Sequence, residues 1–581
     1  MINLRFRLSP IKTILLLVGV GIIVYFKTLL NGFVWDNIPQ IIDYQAVRTF
    51  KLFDIFTSSA AFVGSENVMS VYYKPIMYVF FSFIHLLFKE NPFGYHIVQV
   101  SLHIANSIIL FILFRTFFKS ELALILSLLF LVHPINYESV GYISALQDTL
   151  FVFFGLLALL ILVKDSNGKE WSFKTYFLVG FTLLLSLLSK ETGYLFVIIC
   201  FVYLAFFNKA RISVFNLTLL VSQVFYILFR LVSVQNIYAY LTPSAIMQSS
   251  FLNRLISTPS ILFYYIFTFI YPQNLSINNH WETNGISFST FFFPLIVLIA
   301  LFMIFVFELW TLFKGKSNFL KSFIFFSFWF FLGLFFHSQI FFTADMTVAD
   351  RWFYFTFVGL LGMLGVIISQ FEKSKVFNLL KSNKIAITII LLILLPAYSL
   401  RTIVRSFDWK DKETLYSHDL NVSKDNYSLE NMYGAILLQK GDLENAAAHI
   451  KRSIQLNSNY GPPYTNLGYY YEKRQEYENS KLYYRKSIEI SSNDDDTKPF
   501  GALARIELFH DENPIRAKEL AEDGIDRYPK DTYLPTILAM SEYALGNKEK
   551  AVKIVSEVYE RDQSDYVRKI KTGIENNVPI K

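Results

Sequence analysis

The chain has 581 residues and a formal charge of +7, with 54% hydrophobic and 18% aromatic residues including 61 Phe, and a mean hydropathy of +0.40. That is more apolar surface than a soluble core can use, so a single water-soluble globule is excluded and a multi-pass membrane protein is expected. The lone Cys200 lies inside an apolar run, which rules out an intrachain disulfide framework and a multi-cysteine metal motif. The basic clusters fall between apolar runs and read as topology and lipid contact, so no nucleic-acid partner is expected.

In chain order, apolar runs of spanning or near-spanning length fall at 12–30, 95–118, 121–135, 147–163, 174–189, 193–207, 212–232, 287–312, 321–342, 352–370 and 386–402, about eleven helices. The first follows Arg5 and Arg7 without a small-residue cleavage site, so it is expected to stay as an uncleaved span. Two further runs, 71–90 and 254–271, are expected to lie as interfacial or re-entrant helices. In that arrangement Arg5/Arg7, Arg115/Lys119, Lys164/Lys169, Lys209/Arg211, Lys314/Lys316 and Lys373/Lys375/Lys381/Lys384 share one face, as the positive-inside rule asks of a cytoplasm. The opposite, extracytoplasmic face collects Asp36, Lys74, His133, Glu138, Lys190, Glu191 and the loop Thr343 to Arg351, with the first outer loop at 31–94.

After Leu400 the sequence turns polar, and an odd number of spans places it outside. It contains a repeat: at an offset of 34 residues, Gly434 aligns with Gly468, Gly441 with Gln475, Ala446 with Ser480, Ser453 with Ser487 and Ile454 with Ile488. A 34-residue period with Pro462 and Pro463 between units is the signature of tetratricopeptide helical pairs. A degenerate third unit ends near Tyr528-Pro529, and Ala544 to Ala551 repeats the turn pattern. The expected fold is all-α: a polytopic transmembrane helical bundle (1–402), a connector (403–430) and a soluble tetratricopeptide α-solenoid (431–581), the last suited to an extended peptide.

Transfer of a group from a lipid phosphate needs a base for the acceptor, positive groups for the leaving phosphate and a groove open to the bilayer. Asp36, just past the first span in Asn31 to Asn37, is the candidate base, or a ligand if a divalent metal takes part. Lys74 and Arg351 are candidates for the phosphate, and Lys190, beside Glu191, for a second phosphate contact. His133, Glu138 and Asp148 close one run and open the next, and are candidates to bind sugar hydroxyls or a metal, although their spacing matches no standard zinc motif. Each has a plainer reading: a solvated interfacial acid, snorkelling cations, a structural histidine, a self-neutralising Lys190/Glu191 pair. The chain has no phosphate-cradling glycine loop, no Gly-x-Ser-x-Gly elbow and no dinucleotide fingerprint.

Phe33-Val-Trp-Asp36, Tyr73-Lys-Pro-Ile76, Tyr95 to His103, His133 to Val140, Ser189-Lys-Glu191 and Asp350-Arg-Trp-Phe-Tyr354, followed by the repeats, resemble in order the transmembrane and tetratricopeptide-repeat protein O-mannosyltransferases and their bacterial relatives, which are type-C glycosyltransferases. The resemblance implies a multi-pass protein of a bacterial inner membrane that moves a mannose-like sugar, with inversion, from a polyprenyl-phosphate carrier to a Ser or Thr hydroxyl of a polypeptide. By position it implies that Asp36 activates the acceptor, that Lys74 and Arg351 contact the phosphate, and that Glu138 and Asp148 match acids of the second outer loop. Two positions depart: Asn37 stands where a second acid is frequent, and Leu146 where an Arg is usual. Open alternatives are a glycan or lipid acceptor, a non-catalytic scaffold carrying the repeats, and a flippase for lipid-linked sugars.

Overall fold

The computed structural model describes residues 9–578 apart from 58–61, 64–67, 70–72, 165–172, 234–244, 282–284, 316–318, 345, 372–380, 491–496, 529–530 and 563. Arg5, Arg7, Lys169, Lys316, Lys373 and Lys375 of the expected basic face, Asp345 of the outer loop and Pro529 of the third repeat lie outside the described residues. The chain folds as two units whose main boundary, between Val422 and Ser423, lies inside the segment read as a connector; the strands Phe62–Val63 and Val68–Met69 group with the second unit.

Each of the eleven apolar runs contains a helix. Among the described residues, five stretches are long and apolar enough to cross a membrane: Pro92–Phe114, Ile143–Lys164, Phe215–Ser233, Phe288–Lys314 and Asp350–Gln370; a sixth forms if Ser120–Val132 and Pro134–Gly141, bent by 51°, count together. Pro10–Tyr25, Phe173–Ser189, Glu191–Phe207 and Leu320–Phe336 are apolar but have 10–17 residues. At 1.5 Å per residue these reach at most about 26 Å of a hydrocarbon core about 30 Å thick, so composition counts more spans than helix length alone supports. Helix burial differs by location: 72% of the Ile143–Lys164 window lies inside the bundle, against 6% for Phe288–Lys314. A helix apolar on every side and left uncovered by protein is one that faces lipid.

The run 254–271 folds as Phe251–Ile270 and stays against one end of the bundle along its length. Thr258 Oγ1 donates to the Ser338 carbonyl at 3.4 Å, Tyr264 donates to Asp350 at 2.7 Å, and the Phe269 carbonyl accepts from His133 at 2.8 Å. Those partners lie just beyond the ends of Leu320–Phe336, Phe353–Phe371 and Ser120–Val132. The run 71–90 contains Pro75–Phe88, 14 residues that span about 21 Å. Lys89, just after it, accepts from Tyr95 in the first turn of Pro92–Phe114 at 3.1 Å. The only strands among the described residues are Phe62–Val63 and Val68–Met69, an antiparallel pair that places Phe62 opposite Met69, a small exception to an all-α chain.

The second unit is a row of helical pairs: Tyr427–Lys440 with Leu443–Leu456, Pro462–Lys473 with Tyr477–Ile490, Lys498–Phe509 with Pro514–Arg527, and Tyr533–Ala544 with Lys548–Arg561, followed by Asp565–Glu575. The 34-residue period has a steric cause. A Cβ on Gly434 would come within 2.7 Å of Ile450, and one on Gly468 within 2.7 Å of Tyr484, so the two helices of each pair close on a small residue. The first helix of each pair ends in a left-handed residue: Gly441 (φ 84°), Gln475 (φ 61°), Glu512 (φ 51°) and Gly546 (φ 86°). That geometry satisfies carbonyls at the helix end and suits glycine. Gln475→Gly is expected to stabilise the unit by up to about 1 kcal/mol, read as a higher thermal midpoint; a lower midpoint would mean that the Gln475 side chain holds the turn.

Candidate active site

The first loop reaches its place through buried polar contacts. Asn31 Nδ2 donates to the Ser406 carbonyl at 2.9 Å, Gly32 N–H donates to the Lys410 carbonyl at 2.9 Å, and Thr28 meets the Tyr137 hydroxyl at 3.0 Å. Trp35 has φ 47°, a left-handed conformation that costs a bulky residue about 1–2 kcal/mol. Its ring stacks on Tyr142 with centroids 5.5 Å apart, and the turn presents Asp36 so that Oδ2 accepts the Tyr142 hydroxyl at 2.9 Å. Asn37 faces another way: its Oδ1 accepts Ser144 N–H at 3.0 Å and Ser144 Oγ–H at 2.8 Å. The residue that departs from the family pattern therefore pins the turn before Leu146–Lys164.

The remaining predicted residues gather near Asp36, largely in pairs. Arg351 donates from both its guanidinium and its backbone amide to the Glu138 carboxylate, the amide at 3.1 Å, and both side chains are buried. Lys190 Nζ donates to Asp148 Oδ1 at 2.5 Å. The other Asp148 oxygen is buried with no hydrogen-bond partner among the described residues. Glu191 meets Arg230 at 3.1 Å instead of its neighbour Lys190. Lys74 caps Pro75–Phe88 and is 6% exposed. Burial pushes its ammonium down to about 8, while Asp36 and Asp148 pull it up and Lys190 and Arg351 push it down. All four charges therefore lie close enough to act on Lys74. Of the three cations read as phosphate contacts, Arg351 and Lys190 already have carboxylate partners.

His133 is placed differently from its expected role. Nδ1 accepts Ile135 N–H at 3.2 Å, Nε2–H donates to the Phe269 carbonyl at 2.8 Å, and the ring stacks on Phe269. With both nitrogens committed, it holds a turn against Phe251–Ile270, and no ring nitrogen is left for a sugar. Gln99 and His103, both in the stretch Tyr95 to His103, hold neighbouring backbone in place. Gln99 donates to the Ser139 and Tyr142 carbonyls at 2.7 and 2.8 Å, which shapes the turn bearing Glu138 and Tyr142. His103 donates to the Leu131 carbonyl at 2.9 Å and accepts the Tyr354 hydroxyl at 2.8 Å.

Several site residues were not singled out from the sequence. Tyr142 lies two residues beyond a quoted motif, and Asp350, buried and bonded to Tyr264, lies inside one. Arg405 contacts Asp408 and Asp419 at 3.2 Å each, His418 meets Asp419 at 2.8 Å, and Asp419 Oδ2 accepts Ile277 N–H at 2.7 Å. Glu138, Asp350, Arg405, Trp409 and Ile277 line one narrow crevice. No signal in the sequence joins Arg405 to Asp419, because their link to the loop at 277 exists only in the fold. Among the described residues no group of three His, Cys, Asp or Glu side chains is placed to hold a metal; Asp36 remains the single carboxylate of its loop turn.

Comparison with known proteins adds an independent line. Residues 73–238, which carry Lys74, His133, Glu138, Asp148 and Lys190, match the family described as Dolichyl-phosphate-mannose-protein mannosyltransferase. The chain is similar to protein O-mannosyl-transferases. It is 27% identical over 480 residues to Protein O-mannosyl-transferase F38B6.6 of Caenorhabditis elegans, covering 78% of this chain and 64% of that one. To human Protein O-mannosyl-transferase TMTC3 it is 25% identical over 524 residues, covering 80% of this chain and 54% of the relative. Human TMTC1 is 32% identical over 210 residues, 34% of this chain and 24% of its own. The chain thus spans between about half and two thirds of the length of the Caenorhabditis elegans relative and of human TMTC3. Residues 431–460 and 462–494 match the tetratricopeptide repeat. A solved repeat protein, YrrB, described as having an unusual peptide-binding site, aligns at 16% identity with a TM-score of 0.24 over 28% of this chain and 82% of its own.

Proposed function

We propose that the chain is a membrane glycosyltransferase that moves a mannose-like sugar from a polyprenyl-phosphate donor to a Ser or Thr hydroxyl of a polypeptide on the extracytoplasmic face. The observation that carries this reading is the placing of a loop carboxylate, Asp36, in the field of a buried ammonium, Lys74, at one end of an apolar bundle. Asp36 takes the proton of the acceptor hydroxyl as the hydroxyl oxygen attacks the anomeric carbon. The bond from that carbon to the phosphate oxygen breaks, the electron pair leaves with the phosphate, and Lys74 offsets the new charge. One displacement inverts the anomeric centre. Tyr142 orients the carboxylate, and the Glu138–Arg351 and Asp148–Lys190 pairs supply shape and hydrogen bonds around the sugar and phosphate. The repeats present the polypeptide acceptor. The names of the relatives and the shared family region support this reading.

The test is sugar transfer by purified protein in nanodiscs, with a panel of polyprenyl-phosphate sugars offered to Ser/Thr peptides and to glycan acceptors. Transfer to glycans alone would replace the acceptor in this reading, and no transfer despite donor binding would sink it. Donor affinity should also depend on pH. Phosphate is held by the protonated Lys74, whose ammonium titrates at about 8 in the free protein. Affinity should therefore be full below pH 8 and fall by up to about tenfold per unit above it. A profile flat to pH 10 would remove Lys74 from the phosphate.

A further inference from the structure

We propose that the Tyr78 hydroxyl is a ligand for the donor's phosphate, forming with Lys74 and the first amides of Pro75–Phe88 a seat for the leaving group. This deepens the glycosyltransferase reading and rests on it. Lys74 is the N-cap of a 14-residue helix, offers that helix no side-chain cap, and is followed by Pro75 at the first helical position. A cation therefore stands at the positive end of a helix dipole, with N-terminal amides pointing the same way. It is also 6% exposed, and of the four charges that act on it Asp36 is the strongest, followed by Lys190, Asp148 and Arg351. A buried ammonium at a helix N-terminus is chemistry that receives an anion.

Tyr78 supplies a second, independent observation. It lies one turn further along the same helix face, its ring centroid 5.8 Å from Lys74 Nζ. The residue is 4% exposed, and its hydroxyl is buried without a hydrogen-bond partner among the described residues. Asp36 acts electrostatically on this hydroxyl as it does on Lys74, so the three groups share one region. Tyr44 packs edge-on at 5.1 Å and fixes the ring. A buried hydroxyl with no partner is a standing cost to the fold, and a phosphate oxygen seated at Lys74 accepts its proton.

The test uses the full chain in nanodiscs, titrated with polyprenyl phosphate, polyprenol and inorganic phosphate. Tyr78→Phe should bind polyprenyl phosphate about tenfold or more weakly, the expected loss of a hydrogen bond to a charged group, and bind polyprenol unchanged. Its thermal midpoint without ligand should equal or exceed the wild type's, because the substitution removes an unpartnered buried oxygen. Equal weakening toward inorganic phosphate would assign the seat to phosphate as such; weakening toward the lipid alone would assign it to the headgroup. Unchanged affinity for polyprenyl phosphate, or a lowered midpoint, would overturn the proposal. Lys74→Gln separates the two levels: loss of binding there but not in Tyr78→Phe removes Tyr78 alone, whereas retained binding in both removes the phosphate site itself.

Discussion

Asp36→Asn is expected to lower sugar transfer by about 10²–10⁴-fold, the range contributed by a positioned general base, while the thermal midpoint stays near wild type. The amide keeps an oxygen that accepts the Tyr142 hydroxyl, so the turn at Trp35 and the stack on Tyr142 survive. What is lost is the capacity to take a proton. Single-turnover assays with saturating donor and peptide would isolate this step. Tyr142→Phe gives the graded comparison: the carboxylate remains but loses an orienting donor, so transfer should fall by less. If Asp36→Asn turns over within tenfold of wild type, the base lies elsewhere, and Asp350, buried near Glu138, is the next carboxylate to replace.

Glu138→Ala should be the most damaging substitution for stability. Glu138 accepts from the Arg351 guanidinium and from its backbone amide, and both side chains are buried. Removing the carboxylate takes from a buried cation and an amide the acceptor they share, a loss of about 3–5 kcal/mol in comparable sites. Thermal unfolding in nanodiscs would show it as a large drop in midpoint. Pairing it with Arg351→Met should recover much of the stability, since an apolar pair of similar volume is tolerated where a lone charge is not. Transfer should stay lost in the double variant, which separates the role of the pair in the fold from its role in the reaction. A midpoint for Glu138→Ala within a degree or two of wild type would show that Arg351 finds another partner.

Much of the architecture was legible in the sequence because it follows from local chemistry. Apolar run length marks where helices form, and all eleven runs contain one. The 34-residue period marks the repeats, since a small residue must recur wherever two helices close, as at Gly434 and Gly468. The motifs singled out Asp36, Lys74, Glu138, Asp148, Lys190 and Arg351, and these do gather in one cluster.

Only the tertiary structure decided what these residues do to one another. Charge pairing depends on which side chains meet across hundreds of positions, and sequence spacing carries no record of it. Lys190 follows Ser189 and precedes Glu191, yet it pairs with Asp148, 42 positions away, and Glu191 turns to Arg230. His133 has the residue type of a ligand, but its two nitrogens are taken up by a turn and by the carbonyl of Phe269. Tyr78 reads as one more apolar helix residue, yet its ring lies 5.8 Å from Lys74 Nζ and its buried hydroxyl has no hydrogen-bond partner among the described residues. The sequence by itself determined the helices, the repeats and the identity of the charged groups, because these depend on local hydrophobicity and sterics. The fold decided which charges are paired and which carboxylate faces the loop turn, because electrostatics acts through space and not along the chain.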